Sequence, residues 1–266
     1  MEHYFTGQEI YGDTFTLPEI QSWYEDEKEA YAELVAQYEQ TYTYGYHHIN
    51  IVHGFQYLPK QKFNQVLGLG SAYGYEFEPI QSAIANLVIL EPSDHLKSNK
   101  IGNINVSYKK PNIDGHIDYP DDHFDLIVCF ATLHHIPNVS YVLSELYRCV
   151  RKGGYVLIKE PIHSMGDWRL PRKGLTKRER GIPYPYFKQT FTNLGFTTVK
   201  ESPHFTLTTV LTRKTRKLLR RPIYTYRAYV LFDKFVSQLF KWNISYHPTT
   251  RFKRIAPAEM MFVLTK

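Results

Sequence analysis

The run "FDLIVCFATL", Phe124 to Leu133, is apolar along its whole centre and rich in strand-forming residues. A strand turns alternate side chains to opposite faces, so a run apolar on both must be covered on both. That is the condition of a central strand in a parallel sheet with helices on either side. The neighbouring sequence agrees. "FNQVLGLG" reads as a first strand, "EPIQSAIAN" as a short helix, "NLVILEP" as a second strand and "INVSYKK" as a third. After the fourth strand, "PNVSYVLSELYRCVRKGG" reads as a helix with Val139, Val142, Leu143, Leu146 and Val150 as its apolar stripe, closed by Gly153-Gly154. "YVLIKEP" is a fifth strand, and "FTTVK" and "MMFVLTK" supply an antiparallel finish. The expected fold is α/β, a doubly wound, mostly parallel, seven-stranded Rossmann-like sheet.

Two segments interrupt the alternation, and one precedes it. Residues 1–60 read as a helical cap or lid. "TLPE", Thr16 to Glu19, has the form of a capping box, and Ile20, Trp23, Tyr24, Tyr31, Leu34, Val35 and Tyr38 recur at helical spacing. "YTYGYHHINIVHGF" follows, dense in tyrosine and histidine, and extends the lid with an aromatic stretch. Residues 162–183 are polar and turn-rich, and 206–258 form a basic, partly helical insertion. The core is then 61–205 plus 259–266. At 266 residues and 43% apolar the chain can bury a core of this size.

Charge is unevenly spread. Between Arg213 and Arg254 there are 12 lysines and arginines and one acid, Asp233, a net of +11 within a chain of net +6. Residues 1–60 hold ten acids against Lys28 and Lys60. No apolar run reaches the length of a membrane span, and the first residues lack the pattern of a signal peptide. Cys129 and Cys149, the two cysteines, read as buried thiols in a reducing compartment, so the expected location is cytoplasmic.

The first strand runs into the loop "GLGSAYG", Gly68 to Gly74. Glycine lets backbone approach a ligand closely, and in an open parallel sheet ligands sit beyond the strands' carboxyl ends. The dinucleotide pattern G-x-G-x-x-G fails, because Tyr73 stands where its third glycine would be. No Lys-Ser or Lys-Thr follows, which argues against a triphosphate. Glu91 ends the second strand 23 residues after Gly68, where an acid accepts hydrogen bonds from both hydroxyls of a ribose.

The loop, Glu91 and the block from Tyr119 to Pro161, with "LHH" after the fourth strand and a "GG-strand-EP" ending, resemble the class I S-adenosylmethionine-dependent methyltransferases. The resemblance covers 63–161 and extends loosely to 205. It implies S-adenosyl-L-methionine as cofactor. Gly68, Gly70, Ser71 and nearby backbone would cradle its amino-acid part. Glu91 would bind the ribose, Pro92 would pack near the adenine, and Asp114, with Asp118 as rival, would bond the adenine amine. Phe130 and Ala131 would line the sulfonium. The family's third loop glycine is Ala72 here. A sulfonium needs only a nucleophile aligned with its methyl group, and a base where the acceptor is a hydroxyl. His134 or His135 is the candidate base. No metal is expected: "PDDHFD" reads as a polar turn, and His47, His48 and His53 lack ligand spacing.

Trp168, Arg169 and Arg180, in the segment after the fifth strand, suit a sugar or phosphorylated glycan acceptor, as the chain's resemblance to enzymes associated with polysaccharide biosynthesis implies. In the basic block, Leu231, Phe232, Phe235, Val236, Leu239 and Phe240 form one apolar face beside the cations, as in helices that lie on anionic membrane. The rival expectations are methylation of RNA or a small molecule, and a subunit that binds the cofactor without turnover.

Overall fold

The computed structural model describes residues 2–38 and 43–266, the side chains of 35–38 excepted. Tyr42 and the side chains of Val35 and Tyr38, which the sequence assigns to the lid, lie outside the described residues. Eight strands form one sheet among the described residues: β1 (Phe63–Leu69), β2 (Ile84–Leu90), β3 (Lys100–Ile101), β4 (Ile104–Lys109), β5 (Phe124–Phe130), β6 (Val150–Pro161), β7 (Thr197–His204) and β8 (Glu259–Thr265). Their order is β3-β4-β2-β1-β5-β6-β8-β7. β4, β2, β1, β5 and β6 are parallel, and β8 runs antiparallel between β6 and β7. The sequence misses the eighth strand because β3 has two residues, which hairpin back onto β4 with no hydrophobic period of their own.

The central run is apolar because both of its faces are covered. Leu67, Ile127, Cys129, Val156 and Ile158 turn to one face, under α5 (Val139–Cys149) and the aromatic side chains Phe187 and Phe191. Val66, Leu126, Val128 and Leu157 turn to the other, onto Phe55, Phe77 and Ile84. Both cysteines are buried and free. Helix α5 ends at Cys149 rather than at the glycine pair. Val150 opens β6 by pairing with Phe124, so Gly153 and Gly154 sit inside the strand.

The other helices are α1 (Glu2–Phe5), α2 (Leu17–Glu27), α3 (Ala30–Tyr38), α4 (His47–His53), α6 (Tyr184–Leu194), α7 (Thr208–Thr215) and α8 (Arg227–Leu239). The capping box forms: both the Thr16 N–H and hydroxyl donate to Glu19 Oε2, at 2.8 and 2.7 Å. The acids of this first segment have specific partners. Asp26 pairs with Lys177 and Arg178, Glu2 with Arg169, and Glu29 accepts bonds from Ser93 and the Asp94 N–H. The acidic N-terminal segment is thus clamped to the basic 162–183 segment and to the end of β2. Helix α8 turns Val230, Asp233, Val236 and Ser237 inward. It leaves Leu231, Phe232, Phe235 and Leu239 about half exposed or more, at 48%, 51%, 64% and 54%. No helix among the described residues is long and apolar enough to cross a membrane.

Candidate active site

The strand order reverses at β1, with β2 on one side and β5 on the other, and a cavity of about 480 Å³ opens at their carboxyl ends. That volume lies in the range of small-molecule and cofactor sites. Its floor is the β1 loop. Gly70 has φ +62°, and a Cβ there would lie 2.3 Å from Thr132 Cγ2; one on Gly68 would lie 2.5 Å from Ser71 Oγ. Ala72, where the family has glycine, is itself left-handed at φ +46°.

Glu91 is 4% exposed and ties the loop to β2, one oxygen accepting the Ala72 N–H and the other the Ser93 N–H, both at 2.9 Å. Burial raises its pKa, and these two bonds oppose the rise. Each oxygen keeps a further lone pair for a ligand hydroxyl. Pro92, Phe130 and Ala131 line the same cavity. The buried Ser71 hydroxyl lies in the cavity wall beside Glu76. A glycine-lined cradle, an acid with spare acceptor capacity and a buried hydroxyl fit the amino acid and ribose of S-adenosylmethionine.

Two ionisable residues the sequence reading missed, an acid and a lysine, complete this end. Glu76 is wholly buried at the wall, and burial pushes its pKa up to about 7. Lys159, whose pKa is lowered by burial, donates to Asn50 Oδ1 at 3.0 Å and lies over the Phe130 and Tyr46 rings. The third-strand acids are not brought in. Asp114 is exposed and accepts the His116 N–H, and the wall there is built by Asn112, Ile113 and Gly115. Asp118 is also exposed and outside the lining.

Opposite the loop, both histidines face the cavity, each held by a buried carboxylate. Glu160 accepts the N–H groups of Thr132 and Leu133 on one oxygen, at 2.8 and 2.7 Å, and His134 Nδ1 on the other at 2.7 Å. His135 Nδ1 meets Glu27 Oε2 at 2.7 Å. A carboxylate oxygen accepts, so Nδ1 is the donor on both rings, and Nε2 of each turns toward Glu179. Burial would raise the Glu27 carboxyl, but bonds from His135, Thr176 and the Arg178 N–H hold it below the usual range. Glu179 closes the group, its pKa raised by burial despite the neighbouring His135. Of these acids only Glu160 stood in a motif, the "EP" after the fifth strand. Glu27 and Glu179 arrive from distant segments.

The 162–183 residues singled out from the sequence sit elsewhere. Arg180 is fully buried, and its guanidinium donates to the carbonyls of Tyr11 (2.9 Å), His134 (3.3 Å), Ile136 (2.8 Å) and Pro137 (3.1 Å). It ties down the histidine turn instead of facing a substrate. Trp168 packs on Phe5 and Tyr11, and Arg169 pairs with Asp167 and Glu2 at the surface; neither lines the cavity. These charges cluster in sequence because they clamp the acidic N-terminal segment. In the aromatic stretch, Tyr44 and Tyr46 line the cavity. His53 is instead buried against His204, with Nδ1 on Ser202 Oγ, and His47 bonds the Tyr75 carbonyl.

A family profile described as "Methyltransferase domain" matches residues 46–201, more than half of the chain. A ubiquinone biosynthesis O-methyltransferase of Shewanella pealeana is 30% identical over 98 residues, 35% of this chain and 41% of that relative. The chain therefore matches about two fifths of that relative's length. Among solved structures, an S-adenosylmethionine-dependent methyltransferase of Leishmania major superposes with TM-score 0.56 at 14% identity, covering 96% of this chain and 88% of the other. An activator-bound methyltransferase of Haloferax volcanii gives TM-score 0.54 at 11% identity, covering 93% and 97%. At these identities the two structures speak for the fold.

Proposed function

Because the chain belongs to the methyltransferase domain family and is an S-adenosylmethionine-dependent methyltransferase, we propose that it methylates a hydroxyl oxygen of a lipid-linked sugar or glycan. The cofactor supplies the activated methyl group. The chain's own residues supply alignment and a way to take the hydroxyl's proton. The observation that carries oxygen as the acceptor atom is the histidine pair in the cavity wall, each ring held at Nδ1 by a buried carboxylate, with Nε2 toward Glu179. In the simplest form one histidine is the base, and its carboxylate stabilises the cation that forms. Replacing that histidine with alanine should lower the rate by about 10²–10⁴ while leaving cofactor affinity unchanged. If both single variants keep full activity, the acceptor needs no base.

The lipid-linked acceptor is supported by the basic block. It exposes Leu218, Phe235 and Trp242, at 83%, 64% and 71%, together with cations between Arg213 and Arg254. Phe205 and Thr209, at the start of this block, line the cavity, and Tyr224 stacks on Tyr46 of the cavity wall. An acceptor held at a membrane would enter along that edge. The aromatic walls, Trp23, Tyr24, Tyr31 and Tyr46, suit the flat face of a ring.

The Shewanella relative's name favours a second reading, a hydroxylated aromatic ring on a lipid tail, which would use the same surface. The test has two parts. Anionic vesicles should co-sediment the protein at low salt and release it at high salt, with Phe235→Glu weakening binding in a folded protein. Labelled methyl transfer to fractionated cell extract should then mark glycolipid. Label in lipid-tailed phenols selects the second reading; label in RNA or in water-soluble molecules overturns both.

A further inference from the structure

We propose that His134 Nε2, His135 Nε2 and the Glu179 carboxylate form a binding site for one divalent transition-metal ion. Donor atoms of these three side chains all lie within 4.8 Å of one another. Glu179 Oε2 is 3.4 Å from His135 Nε2 and 3.8 Å from His134 Nε2, and neither pair forms a hydrogen bond. Ligands about 2.0–2.2 Å from a shared tetrahedral ion stand roughly 3.4 Å apart, so the observed spacing nearly leaves room for one. The outer contacts have the form that metal sites use: each histidine gives its other ring nitrogen to a carboxylate, Glu160 and Glu27, which fixes tautomer and ring orientation.

Charge points the same way. The two rings are gathered among three acids, Glu27, Glu160 and Glu179, each no more than 9% exposed. The two rings lie side by side, with centroids 4.1 Å apart, and one divalent ion held between them and Glu179 would offset the charge of these acids. Two imidazoles and one carboxylate suit zinc, manganese or iron(II) better than magnesium, which prefers oxygen throughout. Three protein ligands leave a coordination position open toward the cavity. An ion there would lower the pKa of an acceptor hydroxyl, so the histidines would serve as ligands rather than as bases.

The inference deepens the hydroxyl-transfer reading of this site, but its test reads metal and not methyl transfer. The full chain, stripped with a chelator, is titrated with Zn²⁺ and with Co²⁺, and bound metal is measured by elemental analysis and visible absorption. One ion per chain is expected, with cobalt bands of nitrogen and oxygen ligation. Glu179→Gln and His135→Ala should weaken uptake at least 100-fold, and Glu27→Gln about 10- to 100-fold. His123→Gln, in the acidic turn before β5, should leave uptake unchanged. Glu179→Gln is nearly isosteric and decides the matter if a histidine variant fails to fold. The proposal is overturned if the wild-type chain takes up no stoichiometric ion, or if Glu179→Gln binds as tightly as wild type. Either result leaves a hydrogen-bonded base pair and the methyl-transfer reading standing.

Discussion

Arg180 separates a substrate contact from a structural brace. Its guanidinium is buried with no carboxylate bonded to it, and burial lowers its pKa accordingly. What holds it is a set of carbonyls on two segments that meet nowhere else in sequence. Among its acceptors, the Pro137 carbonyl also receives the Val139 N–H and the His134 carbonyl the Arg180 N–H, whereas Tyr11 and Ile136 have the guanidinium as donor. Arg180→Met therefore orphans two buried carbonyls, at about 1–3 kcal/mol each. The relief of no longer burying a cation, several kcal/mol, is offset by the loss of the charge-assisted bonds themselves, about 1.5–3 kcal/mol each. The net destabilisation should be about 3 kcal/mol. For a chain of this size that lowers Tm by about 6–12 °C in scanning calorimetry.

The kinetic signature follows from where the bonds end. The turn from Leu133 to Pro137 carries both histidines, while the glycine loop and Glu91 lie on other strands. kcat should fall at least tenfold while cofactor affinity in calorimetry stays within about threefold. Arg180→Lys should recover part of the stability, because an ammonium can bond some of these carbonyls but cannot span them as a planar fork does. A variant that melts within 2 °C of wild type and shows only a raised KM for acceptor would refute this reasoning and return Arg180 to the substrate.

Glu91→Ala should weaken cofactor binding by about 1–3 kcal/mol through lost charged hydrogen bonds, measured by calorimetry; unchanged affinity would move the ribose elsewhere. Glu76 has its folded pKa raised from 4.5 to about 7, so its contribution is fully present below the unfolded value and is lost as pH rises through 7. Glu76→Gln should gain on wild type by about 3 kcal/mol between pH 4.5 and pH 8, and a pH-independent difference in Tm would count against the shift. Gly70→Ala should cost about 2 kcal/mol more than Gly174→Ala. Both sit at positive φ, but only at Gly70 does the new methyl meet Thr132, and equal losses in denaturant titration would show that the loop yields.

The sheet was legible because its signal is local: each strand carries its burial in its own residues, from Val66 to Val128. The glycine loop and Glu91 were legible for the same reason, since one turn and one strand end define them. The acids that organise the histidines were not. His135 meets Glu27 across 108 positions of sequence, and no period or spacing links them. Arg180 was misleading because an arginine in a polar segment reads as exposed and free to hold a substrate. Nothing in the sequence announces that carbonyls on two other segments lack donors. The same blindness hid the pairing of the acidic N-terminal segment with residues 162–183. Their opposite charges were visible, but only the fold makes them neighbours. In α8 the periodicity was right and the boundary was not: Val236 belongs to the inner face with Val230, one helical step from Phe235 outside.

The cavity's ionisable wall carries a consequence for the reaction. It is lined by the acids Glu27, Glu76, Glu91, Glu179 and Glu259 and by the lysines Lys28 and Lys159. An excess of carboxylates in a partly desolvated space favours a cationic sulfonium over the neutral thioether left after transfer, which helps exchange product for fresh cofactor. The same field opposes the acceptor, because an oxygen that loses its proton there gains negative charge among carboxylates. A methyltransferase with this wall needs a local positive charge beside the acceptor. Lys159 stands across the cavity over Phe130, at the end where the sulfonium is expected, and burial disfavours its charged form. On the proposed oxygen acceptor, the histidine pair can supply that charge, as a proton on Nε2 or as an ion held between the two rings and Glu179. The two cases differ in one observable: a chelator abolishes transfer in the second and leaves it untouched in the first.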